Sequence, residues 1–227
     1  MSYNITNKCI ELEPFSNLMN DKELELFESS KCIVKYLPDE IIIKQGTRAN
    51  QIPMLTEGFA KSYIEGIDNK FFVLGFIKPF EQIIMPGAFV DGFHHYSVKA
   101  LEESICYLYD MAIFKEIAND NINIYKKLVE NISSNSLIYF NKLISMTQKQ
   151  VNGRLAETLI YLQQEIYMGK PIDCRLSSKD LAEMTGMTKD TTVRILKDLK
   201  ESGIIETSNY SINIIDYDRL SKISEIG

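Results

Sequence analysis

Leu176-Ser177-Ser178-Lys179-Asp180-Leu181-Ala182-Glu183-Met184-Thr185-Gly186-Met187-Thr188-Lys189-Asp190-Thr191-Thr192-Val193-Arg194-Ile195-Leu196-Lys197-Asp198-Leu199 decides the fold of this chain. Ser177 and Asp180 stand three residues apart and form a capping box that opens a helix. Gly186 then allows a tight turn, and Thr188 caps a second helix. Leu181, Ala182 and Met184 are expected to face Val193, Leu196 and Leu199, with the small Ala182 letting the two helices approach closely. That packing leaves Lys189, Asp190, Thr192, Arg194 and Lys197 on the open face. A helix presenting such a face fits the roughly 12 Å wide major groove of duplex DNA. Downstream, Gly203 ends a turn, and residues 204–207 and 211–215 alternate as strands around Ser208-Asn209. That hairpin reads as a wing, after which Asp216 caps a final helix through Arg219 and Leu220. The rival reading is a winged domain that docks to protein; a docking face would favour apolar anchors over Thr, Lys, Asp and Arg.

Working outward toward the N-terminus, Gly153 interrupts the helical pattern and a new amphipathic helix begins at Arg154, which puts a domain boundary near Gln148 to Val151. Between Asp110 and Gly153 there is no glycine or proline. Within that stretch Ile122, Tyr125, Val129, Ile132, Ser136, Tyr139, Leu143 and Met146 recur at 3-4-3-4-3-4-3 spacing, the seam of a coiled coil. A second apolar line, Leu128, Leu137, Ile138 and Ile144, lies off it. One stripe can pack on the chain's own N-terminal domain while the other meets a second copy, giving a parallel two-fold homodimer. The alternative is a helix buried within its own domain, and Ser136 in the seam leaves the number of copies open.

Before Asp110 the pattern is different. Residues 11–30 mix helical apolar spacing with acids and read as one or two short helices. From Ile33 onward, β-branched and aromatic runs at 33–36, 41–43, 54–55, 60–64, 71–74, 97–100 and 105–109 alternate with turn formers such as Pro38-Asp39, Gly46, Glu57-Gly58 and Pro86-Gly87. Regular short strands with this punctuation predict a sandwich or small barrel. The expected architecture is α+β: a β-roll or jelly-roll barrel of the cupin-like kind over 1–110, a long dimerisation helix over 111–149 and a winged helix-turn-helix over 150–227.

Composition sets bounds on function. At 227 residues with 45% hydrophobic content the chain can bury real cores. A net charge of −6, with ten Lys/Arg against twelve Asp/Glu from Val151 onward, excludes a protein that coats nucleic acid nonspecifically, so any DNA contact must be local. No signal-peptide pattern or 20-residue apolar run is present, and the expected location is cytoplasmic, with no membrane partner. Cys9, Cys32, Cys106 and Cys174 form no CxxC pair, so neither a disulfide framework nor a thiolate metal site is expected, and Cys32 and Cys106 read as single buried thiols. Paired-carboxylate, phosphate-loop, nucleophile-elbow and His-rich metal patterns are all missing. No catalytic residue, metal or cofactor is therefore assigned, and an enzyme is not expected.

The order barrel, long helix, Val151-Asn152-Gly153-Arg154-Leu155-Ala156-Glu157, helix-turn-helix and wing resembles the CRP/FNR family of bacterial transcription regulators over nearly the whole chain. The resemblance implies a homodimer that binds double-stranded DNA at a near-palindromic site, with RNA polymerase as a partner if the protein activates. It places base readout on Lys189, Asp190 and Arg194, with Thr192 beside them on the same helix. Arg194 would pair with guanine O6 and N7, and Asp190 would accept from a cytosine amino group or orient the arginine. Asn152, Ser177, Ser178, Lys179, Thr188 and Lys197 would fall against phosphates, fixing register without reading sequence.

In the barrel the chain departs from the family's cyclic-nucleotide members. The ribose-binding Glu and the phosphate-binding Arg-Ser pair of those members are replaced by Ile84, His94 and His95, and the base-contacting positions of the long helix by Tyr139 and Phe140. Neither Ile nor neutral His can neutralise a buried phosphate as guanidinium does. Cys9 alone cannot supply the cysteine cluster of the family's iron-sulfur branch. Of His94 and His95, read as a loop or solvent-facing pair, at most one can face a pocket, so a haem site is not expected. A pocket, if the barrel keeps one, would be walled by Phe72, Leu74, Phe76, Phe80, Ile84, Met85, Phe89, Tyr139 and Phe140. These residues are either simply core or the site of a hydrophobic effector that shifts the dimer between two arrangements. Titration of the purified protein with cAMP in a calorimeter should give no saturable heat in the micromolar range; one ligand bound per barrel at such concentrations would refute the reading.

Overall fold

A computed structural model describes residues 15–226 except 82, 84, 85, 174, 175, 209 and 210. The described residues divide into two compact units, 15–69 with 74–137, and 70–73 with those from 138 onward.

The first unit is the expected β-roll. Its strands are β1 (Cys32–Tyr36), β2 (Ile41–Ile43), β3 (Gln51–Glu57), β4 (Ala60–Glu65), β5 (Phe71–Ile77), β6 (Ser97–Ala100) and β7 (Ser104–Asp110). They form a three-stranded sheet in the order β1-β7-β3 and a four-stranded sheet in the order β2-β6-β4-β5. Because side chains alternate along a strand, one face of each sheet turns inward. Ile43, Ala60 and Val98 meet Leu55, Cys106 and Leu108 in a shared core. Cys106 behaves as a small hydrophobe there, and burial pushes its thiol up to about 12. Cys32 is exposed, contrary to the expectation of a buried thiol: it opens β1, an edge strand whose first residues face outward. Pro53, which lacks an N–H, is tolerated in β3 because that strand also lies at a sheet edge.

The other face of the three-stranded sheet is covered by a 3-10 turn at Phe15–Leu18, α1 (Asp21–Ser29) and α3 (Met111–Asp120). Phe27 stacks on Tyr109 at 4.0 Å between centroids, and Phe15 meets Phe114 edge-on at 5.2 Å. A single turn, α2 (Gly87–Val90), lies between β5 and β6.

The span 111–149 is not one helix. It divides at Asn121, whose backbone is extended, so that α3 ends at Asp120 and α4 runs from Ile122 to Gln148. The Asn121 side chain holds this break from both ends: Oδ1 accepts from the Asn123 N–H at 3.1 Å, while Nδ2 donates to the Leu18 carbonyl at 2.8 Å and to Glu23 at 3.0 Å. Asparagine competes with the helix for backbone hydrogen bonds, and here it wins because tertiary acceptors are in reach.

The second unit carries α5 (Val151–Tyr161), which ends in a π-turn at Leu162–Ile166, then β8 (Ile172–Asp173), α6 (Ser178–Thr185), α7 (Lys189–Glu201), β9 (Ile205–Thr207), β10 (Ser211–Ile214) and α8 (Tyr217–Ile226). Gly153 does not break the helical run. It is buried inside the first turn of α5, and the break falls at Gln150, whose backbone is extended. The two compact units divide inside α4, after Leu137. The last turns of α4 belong with α5: Ser145 and Lys149 both bond to Glu157, and the Lys149 ammonium lies 2.9 Å from its carboxylate. No helix among the described residues is long and apolar enough to cross a membrane.

Of the histidines expected in a loop or facing solvent, His94 does lie in a loop, but it is buried there. Its backbone is tied to Thr47 and Gly46 in the loop before β6, its ring is buried, and burial holds its pKa below the usual imidazole value. His95 points outward onto Asp91 at 2.9 Å. The unfolded chain takes up a proton at His94 as pH falls below about 6.5, whereas the folded chain resists it. Thermal stability of the roll should therefore decline between pH 7 and pH 5, and His94→Gln should flatten that slope.

Candidate nucleic-acid interface

The helix-turn-helix is built from local hydrogen bonds. The Ser177 hydroxyl accepts from the Asp180 N–H at 3.2 Å, and the Asp180 carboxylate accepts from the Ser177 N–H at 2.8 Å, which completes the capping box of α6. Gly186 ends α6 with φ of +63°, a left-handed conformation that suits glycine. A Cβ at that position would already touch Met146 Sδ at 3.4 Å. Arg154 Nη1 donates to the Thr185 carbonyl at 3.0 Å and so satisfies one of the orphan acceptors at the end of α6. Thr188 then caps α7 by accepting from the Thr191 N–H at 3.2 Å.

The rotational phase of α7 differs from the expected one. Thr192, Ile195 and Leu199 are its buried residues, at 0%, 2% and 6% exposure, whereas Val193 is 45% exposed. Val193 therefore leaves the core, Ile195 enters it, and Thr192 is removed from the base-reading set. The Thr192 hydroxyl is consumed by the Thr188 carbonyl at 3.1 Å, and its methyl packs inward. The open arc carries Lys189, Asp190, Val193, Arg194 and Lys197, all exposed. Arg194 lies 3.9 Å from Asp198, and Lys197 lies 3.6 Å from Glu201. Such solvent-exposed pairs are weak, about 0.3–0.5 kcal/mol, and leave both cations able to exchange partners.

Among the expected phosphate contacts, Asn152 is exposed in the first turn of α5, Ser178 is half-buried at the start of α6, Thr188 is exposed, and Lys179 is exposed 3.7 Å from Glu183. Ser177 is a correction. Its hydroxyl proton is spent on Asp180 at 2.6 Å, so it has none left to offer a phosphate oxygen.

On α4 the expected seam drifts. Ile122, Tyr125, Val129 and Leu143 are exposed, but Tyr139 and Met146 are only partly so, and Leu137, Phe140 and Ile144 take their place at 52%, 60% and 48% exposure. A straight helix falls about 20° behind a strict seven-residue repeat in each heptad, which turns the later seam positions inward. Met146 accordingly contacts Arg154.

The expected effector-pocket residues have varied surroundings. Phe72 lies 5.8 Å beneath the Lys142 ammonium, which donates to the Val73 carbonyl and is pushed down to about 8 by burial. Leu74 is half-buried on β5, Phe76 stacks on Phe59 at 5.3 Å, and Phe89 packs with the helix-side core beneath Lys115. Phe80 and Phe140 are exposed, and Ile84 and Met85 lie outside the described residues, as do Cys9, Cys174 and Asn209. A cavity of about 410 Å³ in the roll is lined instead by residues that include Ile43, Arg48, Gln51, His94 and Leu108.

Sequence reasoning missed Val193 on the open arc, the role of Arg154 in closing α6, and β8, which makes the wing a three-stranded sheet of order β8-β10-β9. A two-residue strand leaves no usable alternation in sequence. For Arg154, the basic residue sits too far from Thr185 in sequence for the contact to be read.

Residues 153–223 match the Crp-like helix-turn-helix domain, and residues 33–121 match the cyclic nucleotide-binding domain. The chain is 23% identical over 197 residues to the cAMP-activated global transcriptional regulator CRP of Salmonella typhimurium, covering 85% of this chain and 93% of that protein. Its fold is similar to FixK2 from Bradyrhizobium japonicum, with a TM-score of 0.76 at 18% identity over 85% of this chain and 96% of that one. It is also similar to CLP, the c-di-GMP responsive global regulator of Xanthomonas campestris, with a TM-score of 0.74 at 17% identity over 86% and 99% of the two chains.

The phase of α7 can be tested without DNA. Thr192→Lys forces a charge into a fully buried site and should destabilise the C-terminal unit by about 3 kcal/mol or more. Val193→Lys one residue on should change stability by less than about 0.5 kcal/mol. Urea titration of both variants decides it, and equal losses would mean the phase is wrong.

Proposed function

The chain belongs to the CRP/FNR family of transcription regulators, and from that premise we propose that it is a sequence-specific regulator that binds a near-palindromic duplex as a homodimer and is not controlled by cAMP. The observation that carries the DNA reading is the open arc of α7. Three cations and one carboxylate stand there free of the core, on a helix capped by Thr188 and held against α6. A helix of this kind, placed in the major groove, lets Arg194 reach guanine O6 and N7, while Asp190 is suited to a cytosine amino group. Asn152, Ser178, Lys179, Thr188 and Lys197 are placed to meet phosphates. The N-terminal N–H groups of α5, α6 and α7 add partial positive charge for the same purpose.

Support for the homodimer comes from α4. Ile122, Tyr125, Val129, Leu137, Phe140, Leu143 and Ile144 are exposed along one side of a 27-residue helix. A monomer rarely leaves so continuous an apolar stripe in water. Pairing two copies through it would present two recognition helices about 34 Å apart, one turn of the duplex, which is why the operator should be near-palindromic. The Salmonella relative is cAMP-activated, but the places of its ligand class's Arg-Ser pair hold a buried neutral His94 and an outward His95 here. A cyclic phosphate in the roll would have no guanidinium from that site to neutralise it.

Binding to duplex should weaken steeply with salt as phosphate contacts release counterions, which a protein-docking module would not show. On an operator, Arg194→Ala should cost about 1–3 kcal/mol per half-site and relax preference at one base pair. Lys179→Ala should instead weaken all sequences alike and shallow the salt slope by about one. Identical behaviour of the two variants across operator mutants would remove the assigned roles.

A further inference from the structure

Val193 has no structural reason to be valine. It is 45% exposed on α7, outside the core made by Thr192, Ile195 and Leu199. As a β-branched residue at an exposed helical position it lowers helix propensity relative to Ala without any packing gain. By helical spacing it shares a ridge with Lys189 and Asp190 before it and Lys197 after it, so an isopropyl group stands among the charged side chains of the open arc.

The major groove presents one apolar group, the C5-methyl of thymine; every other base-edge feature is a hydrogen-bond donor or acceptor. Resting on the DNA-binding reading above, we propose that Val193 is a specificity-determining residue that packs its isopropyl group on a thymine methyl, next to the base pair read by Arg194, and so selects thymine at one position of each half-site. The stiff χ1 of valine holds both methyls in place before binding, so little side-chain freedom is lost on contact. Cytosine at that position would offer an amino group and no methyl, and neither carbon of the isopropyl group can satisfy it.

The test uses the full-length protein to enrich bound duplexes from a random pool. Each thymine of the enriched sequence is then replaced, symmetrically in both half-sites, by deoxyuridine. That change removes the methyl and keeps the pairing and the O4 acceptor. At one thymine position the replacement should weaken wild-type binding about fifteen-fold, following from about four-fold per buried methyl in each half-site. In Val193→Ala, an exposed substitution to a better helix former, the same replacement should change affinity less than two-fold (roughly the residual contact of one methyl). An enriched, salt-sensitive duplex with no uridine-sensitive position, or one whose sensitivity survives Val193→Ala, would overturn this inference and leave the DNA reading standing. Failure to enrich any duplex would overturn both.

Discussion

Three side chains, Thr192, Ile195 and Leu199, set the angle at which α7 is seated on the rest of the winged domain, and that angle decides which chemistry faces outward. One residue of helix is about 100° of rotation. A seating one residue away, with Val193 in the place of Thr192, would bury Val193 and turn Lys189 from the open arc into the core. The seating is fixed at the start of the helix. Gly186 takes the left-handed conformation that turns the chain between α6 and α7, and Thr188 starts α7 at a defined residue. Arg154, reaching from α5 to the Thr185 carbonyl, ties that turn to the remainder of the unit. Readout by α7 therefore depends on residues that would never touch a base.

Most of the architecture is legible in the sequence because alternation, capping and turn chemistry agree. The seven strands of the roll fall on the seven β-branched and aromatic runs, and the capping residues Ser177, Thr188 and Asp216 do what their types suggest. What escapes is where two residues carry the same local signal. Thr192 and Val193 are adjacent and nearly isosteric, and a pattern that counts Thr as polar assigns the buried role to the wrong one. Asn121 breaks a helix because the Leu18 carbonyl and Glu23 stand within reach, and neither is adjacent in sequence. Gly153 shows the converse: a residue type that punctuates helices elsewhere sits quietly inside one. His94 carries the signals of a loop, and only the fold reveals that the loop is buried.

Helix α4 shows how one element can serve several partners. Its early inner positions, Ile124 at 0% and Leu128 at 4% exposure, belong to the helix-side core of the roll unit, while its last turns, through Ser145, Met146 and Lys149, belong with α5. Its outer stripe, from Ile122 and Val129 to Phe140 and Leu143, stays exposed. Because a straight α-helix falls short of two full turns in every seven residues, no single set of seam positions can stay on that stripe for three heptads. The replacement of Tyr139 and Met146 by Leu137, Phe140 and Ile144 follows from geometry, and a partner helix would have to supercoil or accept the drift.

The acidic balance of the chain has a consequence for how such a protein would use DNA. Three of the exposed cations that could meet a phosphate or base, Lys179, Arg194 and Lys197, each have an acid one helical turn away: Glu183, Asp198 and Glu201. On arbitrary duplex, breaking these pairs and bringing extra carboxylates near the phosphates offsets much of what the cations contribute. Under the proposed readout, Arg194 would regain a bidentate partner on a matching site and the loss would be recovered. Affinity for random sequence would then fall further than affinity for the operator, so that a net charge of −6 would widen the ratio between specific and nonspecific binding. Among the many competing sites of a genome, that ratio governs occupancy more than the bare dissociation constant does.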